Sequence, residues 1–221
     1  MNIIIKLFGW GNIRTITQTL SGRNRDRHQP ELGRITKGDI HLILEDIWKN
    51  YTTLKANAPY EKTLGARIMV RNGILSLALY RAVGKIVTGE DYVTELCTDI
   101  LWKFYIKQIR IQKFITRIFY REPHQQMNML QQIFLWFPLA KPGYDWKINE
   151  MGKVFSYDIV RCPVYDYFKT QGRAELEFFQ NSWCTLDFPL AEHLVRGGKY
   201  ERTHTLSTGD DKCDMCWKVS C

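Results

Sequence analysis

The side chains best suited to chemistry crowd into one stretch, Asn181–Trp217 (NSWCTLDFPLAEHLVRGGKYERTHTLSTGDDKCDMCW). It holds Cys184, Asp187, His193, Arg202, Asp210, Asp211, Cys213 and Asp214. If a helix runs through Cys184-Thr-Leu-Asp187, the thiol and the carboxylate lie one turn apart. A thiolate is an effective nucleophile when a base or a cation lowers its pKa. Asp187 could be that base, or could pair with a cationic substrate such as an amidine. The same residue types also fit a plainer arrangement, with Cys184 as a small core residue and Asp187 as the N-cap of the helix containing Pro189. On a continuous helix His193 falls roughly opposite Cys184, which makes it a poor partner.

Further along, Arg202 lies in an expected strand, Lys199–Ser207, with Thr203 and Thr205 close by. An inward arginine among hydroxyls can hold a carboxylate with two parallel hydrogen bonds, whereas an outward one is a surface charge. Asp210-Asp211 reads as turn chemistry, and Gly209 supplies the positive φ such turns use. Asp214, within an apolar strand, needs a partner. Cys213-Asp-Met-Cys216 has the C-x-x-C spacing, but a structural zinc needs two more ligands. On a strand, residues three apart point to opposite faces, so Cys213 and Cys216 would not converge. His193, His204 and Cys221 would reach such an ion only if the chain folded back. No metal and no cofactor is expected, and a thioredoxin-like role lacks its strand–C-x-x-C–helix context.

The elements that must position these residues come in two kinds. The apolar run Ile3–Trp10 gives way to Ser21–Gln29 (SGRNRDRHQ), a polar, basic loop. Thr36 and Asp39 have capping-box spacing, and Ile40, Ile43, Leu44, Ile47, Trp48, Tyr51 and Leu54 follow at helical intervals up to Pro59. A second helix is expected over about Thr63–Val87, apolar on most faces, and a third over about Glu90–Phe119. The third carries Lys103, Lys107, Arg110, Lys113 and Arg117 near one face, with Trp102, Tyr105, Phe114 and Phe119 among them. That pattern fits peripheral contact with a membrane surface as well as it fits a solvated face. Met127–Phe137 reads as a further helix, and Pro142-Gly143 marks a break.

Beyond the break, Tyr144–Asn149 and Lys153–Val160 alternate as a β-hairpin. Pro163–Gln171, Arg173–Trp183 and Pro189–Val195 are short helices, and Lys199–Ser207 with Lys212–Ser220 makes a second hairpin. The fold class expected is α+β: a helical N-terminal half, then a small antiparallel sheet with helices packed on one face. The segments are an arm or loop over 1–35, a helical region over 36–140 and an α+β region over 141–221, integrated as one domain.

Composition narrows the function classes. A chain of 221 residues with 45% hydrophobic and 24% charged residues folds around a sizeable core. A formal net charge of +8 suits an anionic partner, although nucleic acid is not expected. No segment reaches the roughly 20 apolar residues of a membrane span, and no glycine-rich phosphate loop is present. The start MNIIIKLFGWG has its only lysine inside the apolar run and no small-residue cleavage pattern, so the six cysteines are expected as reduced thiols in a cytoplasmic protein.

Four separated strings carry a resemblance: Arg161-Cys162-Pro163, Cys184-Thr-Leu-Asp187, Arg202-Thr-His-Thr-Leu206 and Gly209-Asp-Asp-Lys-Cys213-Asp214. In this order they resemble the family of L-2-amino-thiazoline-4-carboxylic acid hydrolases. Leu64-Gly-Ala-Arg67 with Leu77-Ala-Leu-Tyr-Arg81, and Pro142-Gly-Tyr-Asp-Trp146, are similar to the family further upstream. One departure is Met215-Cys216-Trp217, where an aromatic and then a basic residue are expected after Cys-Asp.

The resemblance implies hydrolytic opening of a cyclic amidine, a thiazoline, to a carbamoyl-cysteine on the way to cysteine. It implies Cys184 and Asp187 as catalytic residues. Arg161, Cys162, Arg202, Thr205, Cys213 and Asp214 would then bind a small-molecule substrate bearing a carboxylate. Self-association into a homo-oligomer is compatible with it. The C-terminal half is also similar to the small-molecule-binding domains related to 4-vinyl reductases, which would make it a non-catalytic binding or sensing domain.

Overall fold

A computed structural model describes residues 3–220, with side chains from residue 12 onward. Cys221, considered above as a distant metal ligand, lies outside the described residues. Eight α-helices are seen among them: α1 Ile3–Leu20, α2 Lys37–Ala56, α3 Leu64–Val83, α4 Glu90–Phe119, α5 Pro123–Trp136, α6 Pro163–Phe168, α7 Arg173–Asn181 and α8 Asp187–Leu194. The strands are β1 Asp145–Met151, β2 Val154–Arg161, β3 Gly198–Glu201 and β4 Cys213–Val219. The fold is α+β, with helices throughout the first half and one four-stranded antiparallel sheet in the second.

The chain forms two compact units. The first comprises residues 1–58 and 74–108; the second comprises 59–73 and 109–221. The unit boundaries pass through α3 and α4. Close backbone packing within the second unit explains why Pro59–Gly73 goes with the sheet. Gly65 lies so near the Pro138 backbone that a Cβ would overlap it. Arg161 at the end of β2 also reaches back to Glu61.

In the first unit, the stretch 1–35 expected as an arm or loop carries a helix over Ile3–Leu20. Its apolar residues Ile16 and Leu20 are buried, and core burial outweighs the modest propensity of a Thr-rich sequence. The Ser21–Gln29 loop follows, tied by an isolated bridge between Asn24 and Arg34. Helix α2 begins at the anticipated capping box: Asp39 N–H donates to Thr36 Oγ1, and the Asp39 carboxylate accepts from Thr36 N–H at 2.8 Å. Arg25 closes on the same carboxylate at 2.7 Å.

In the second unit the sheet order is β1-β2-β4-β3. The two central strands align Phe155 with Trp217, Tyr157 with Met215 and Ile159 with Cys213. Period-2 alternation puts these side chains on one face, where all but Cys213 are buried. On α5, Met127, Leu130, Gln131 and Phe134 are buried, and Gln131 Oε1 accepts from the Tyr157 hydroxyl at 3.2 Å. Strand β3 packs directly on α8, where a Cβ at Gly198 would meet the Ala191 carbonyl. This inner row runs from Trp217 through Met215 to Cys213, and so delivers Cys213 to the region where β3 ends.

Candidate active site

The expected long strand over Lys199–Ser207 stops at Glu201, which frees Arg202 from the ladder. The cause is Asp214. Its carboxylate accepts from the backbone N–H groups of Thr203 and His204 at 2.9 and 2.7 Å and from the Thr203 hydroxyl at 2.5 Å. One of two consecutive N–H groups on an edge strand faces its neighbour, so Asp214 takes a donor that a continuing strand would need. Asp210 does the same two residues on, accepting from Thr205 N–H at 2.6 Å. The chain then turns through a short 3-10 helix, Leu206–Thr208, capped by Gly209 at φ 103. Burial works against the charge on Asp214, but the hydrogen bonds from Thr203 and His204 prevail and hold its carboxyl far below the usual carboxylate range.

Arg202 lies one residue past the end of β3 and two residues after Tyr200. The Arg202 guanidinium, only 9% exposed, donates to the Cys184 carbonyl at 2.7 Å and stands 3.9 Å from the Asp187 carboxylate. It also lies over the rings of Phe188 and Tyr200, 5.6 and 5.8 Å from their centres. Cation–π contact of this kind favours a desolvated arginine without using its in-plane N–H donors. Those donors remain suited to a planar, bidentate anion.

Asp187 is placed by a break in the helices. Helix α7 ends at Asn181, a 3-10 turn spans Trp183–Thr185, and α8 starts at Asp187 itself. The N-cap position is Leu186, with no side-chain cap bond, so the Asp187 carboxylate is not spent on capping. Burial pushes its pKa up to about 6, with Arg202 opposing the rise. That value suits a group that accepts a proton near neutral pH.

Cys184 Sγ lies 3.4 Å from the hydroxyl of Ser207, a buried residue whose carbonyl accepts from Gln180. Burial pushes the Cys184 thiol up to about 12, against the pull of Ser207 and Arg202. Cys213 Sγ accepts from Leu206 N–H at 3.3 Å. Cys162 is raised to about 12 by burial, and the neighbouring Cys184 and Cys213 add to the effect. Three thiols are thus within electrostatic reach of one another beside Arg202 and Asp187.

The structure therefore gathers Cys162, Cys184, Asp187, Arg202 and Cys213, and directs the other candidates elsewhere. Arg161 donates to both oxygens of Glu61 at 3.2 and 2.9 Å, to the carbonyls of Pro142 and Gly143, and meets Asp166 at 3.3 Å. Thr205 is the N-cap of the 3-10 turn. Asp214 shapes the loop rather than lining the cluster. His193 sits beside Lys113 and Arg117, and its carbonyl accepts from Lys113. Cys216 pairs with Ser156 and Glu201, three residues from Cys213 on β4. Among the described residues no three His, Cys, Asp or Glu side chains form a metal-binding group. Phe188, Tyr200 and Ser207 were not anticipated. The i, i+2 relation of Tyr200 to Arg202 was the one sequence signal for any of them.

The model of the family described as L-2-amino-thiazoline-4-carboxylic acid hydrolase matches residues 67–217. The chain belongs to that family. No curated protein and no solved structure matches it. The matched span includes every member of the cluster, from Cys162 to Cys213. Among the described residues no helix is long and apolar enough to cross a membrane.

Proposed function

We propose that this member of the family is a hydrolase that opens a five-membered cyclic amidine bearing a carboxylate, with 2-aminothiazoline-4-carboxylate as the model substrate. The observation that carries this reading is the pairing of Arg202 and Asp187. A shielded guanidinium with in-plane donors to spare stands beside a carboxylate whose pKa is tuned close to neutral.

In this mechanism the substrate carboxylate docks on Arg202, and the ring lies along Phe188 and Tyr200. Asp187 takes a proton from a water molecule as its oxygen adds to the amidine carbon. The hydroxyl proton of the tetrahedral centre passes to the ring nitrogen as the carbonyl forms, and the centre collapses by breaking the carbon–sulfur bond, because a thiolate leaves far more readily than an amide anion. The departing sulfur takes the proton held by Asp187. Substrate plus one water gives N-carbamoyl-cysteine, and the enzyme is returned unchanged. Water is favoured over Cys184 as the nucleophile, since a thiol at about 12 stays protonated at neutral pH.

The test is incubation with 2-aminothiazoline-4-carboxylate in isotopically labelled water, followed by mass spectrometry. One labelled oxygen and one free thiol per product support the reading. Absence of any ring-opened product would leave a binding or sensing domain. Cys184→Ser separates the routes: direct attack by water predicts a loss of at most about tenfold, whereas a loss as large as that of Asp187→Asn reinstates the thiolate as nucleophile.

A further inference from the structure

The C-terminal end of α4, in the second unit, carries a feature that the cluster around Arg202 does not use. Ile111, Phe114, Ile115, Ile118 and Phe119 are 71, 66, 43, 61 and 74% exposed. They recur at i, i+3, i+4, i+7 and i+8, so they form one stripe along the helix. Exposed large apolar side chains are ordinary when scattered singly; a contiguous row marks a surface that another apolar phase covers.

Charge identifies that phase. From Ile100 to Arg121 the chain has six lysines and arginines and no acidic residue. Their roles separate in the structure. Lys103 and Lys107, counted from sequence among the bases for a membrane contact, donate to Thr19 and Thr15 at 3.0 and 2.5 Å. Lys113 donates to the His193 carbonyl. Arg110, Arg117 and Arg121 are exposed, and at about 100° per residue Arg110 and Arg117 run along one edge of the stripe.

We infer that Arg110–Arg121 is an interfacial segment that docks on an anionic lipid bilayer, apolar stripe in the acyl boundary and arginines on the headgroups. A second copy of the chain would bring the same positive charges against these, and a nucleic acid backbone offers nothing to five apolar side chains. An anionic bilayer satisfies both features at once.

Flotation of the full chain with phosphatidylserine-containing vesicles, against phosphatidylcholine alone, tests this. Co-flotation with the anionic vesicles, weakened by salt, is expected. Phe114→Glu or Ile118→Glu should weaken it by about tenfold or more, and Arg117→Glu by several-fold, because each arginine adds its own attraction to the surface. All three positions are exposed, so the thermal midpoint should not move. Equal binding to both vesicle types, no binding to either, or undiminished binding by Phe114→Glu would overturn the inference. So would self-association abolished by Phe114→Glu, which would assign the stripe to a second copy. Binding only by a chain lacking residues 1–11 would overturn it as well, by giving the stripe to the protein's own N-terminal apolar run.

Discussion

Arg161 and Arg202 look alike in the sequence, each opening one of the strings that carry the family resemblance and each a candidate to hold the substrate carboxylate. The structure gives them opposite surroundings. Arg161 is clamped: Nη1 and Nη2 donate to the two oxygens of Glu61, Nε meets Asp166, and Nη1 also reaches the carbonyls of Pro142 and Gly143. Arg202 is held by one carbonyl, a long 3.9 Å approach to Asp187 and two aromatic faces. An arginine engaged by two carboxylates and two carbonyls fastens its own chain. One kept in place by stacking keeps donors for a ligand. The clamp ties β2 to Glu61 within the second unit, and the open arginine is the one proposed to meet the substrate.

Substitutions can break this contrast. Arg202→Gln should lower kcat/KM by about a thousandfold, the loss expected for a desolvated charge contact, while the fold survives. Near-normal turnover would remove Arg202 from substrate binding. Arg161→Ala should instead cost about 3 kcal/mol of stability, because Glu61, 6% exposed, is left without its ion-pair partner. Denaturant unfolding measures this, and turnover per folded molecule should stay within about twofold. A large rate loss without loss of stability would reverse the two roles.

Asp187→Asn sharpens the comparison further. Turnover should fall about a hundredfold, and the wild-type kcat/KM should rise with pH to a plateau above the Asp187 pKa of about 6. Stability should move the other way. The folded pKa lies above the unfolded one, so the folded chain binds more protons between 3.8 and about 6. Stability contributed by this group is present below that window and is lost as pH rises through it. Removing the charge should therefore raise the unfolding free energy at neutral pH, by about 1 to 3 kcal/mol. Thermal melts across that window, with and without the substitution, show whether the cost is there.

Asp214→Asn should have the smallest effect, about 1 to 2 kcal/mol, from weakened hydrogen bonds to Thr203 and His204. The pKa of Asp214 is depressed, so its contribution exists above the ordinary carboxylate value and disappears as acid protonates it. A melting temperature for Asp214→Asn that matches the wild type at neutral pH and in acid would show that the carboxylate does not set the loop.

Much of the frame was legible. Thr36 and Asp39 announced α2, the Glu90–Phe119 pattern gave α4 at both ends, and alternation from Tyr144 onward announced the sheet. Helix α5 begins earlier than its apolar pattern, at Pro123, because proline suits a first turn whose N–H groups have no intrahelical partner. The shortened β3 was not legible, since it depends on a carboxylate from the next strand capturing two backbone donors. Nor could sequence separate Arg161 from Arg202. Glu61 lies 100 residues before Arg161, and no local pattern encodes that meeting. Asp187 escaped its cap role because the helix starts at Asp187 itself, one residue earlier than a cap there requires, which left the carboxylate facing Arg202.

The central claim is that Arg202 is the substrate's carboxylate receptor and Arg161 is not. Calorimetric titration with 2-aminothiazole-4-carboxylate, an aromatic analogue that does not ring-open, tests it most directly. Binding is expected to weaken by about a hundredfold in Arg202→Gln and to remain as in the wild type in Arg161→Lys. Undiminished binding by Arg202→Gln, or loss confined to Arg161→Lys, would contradict the account.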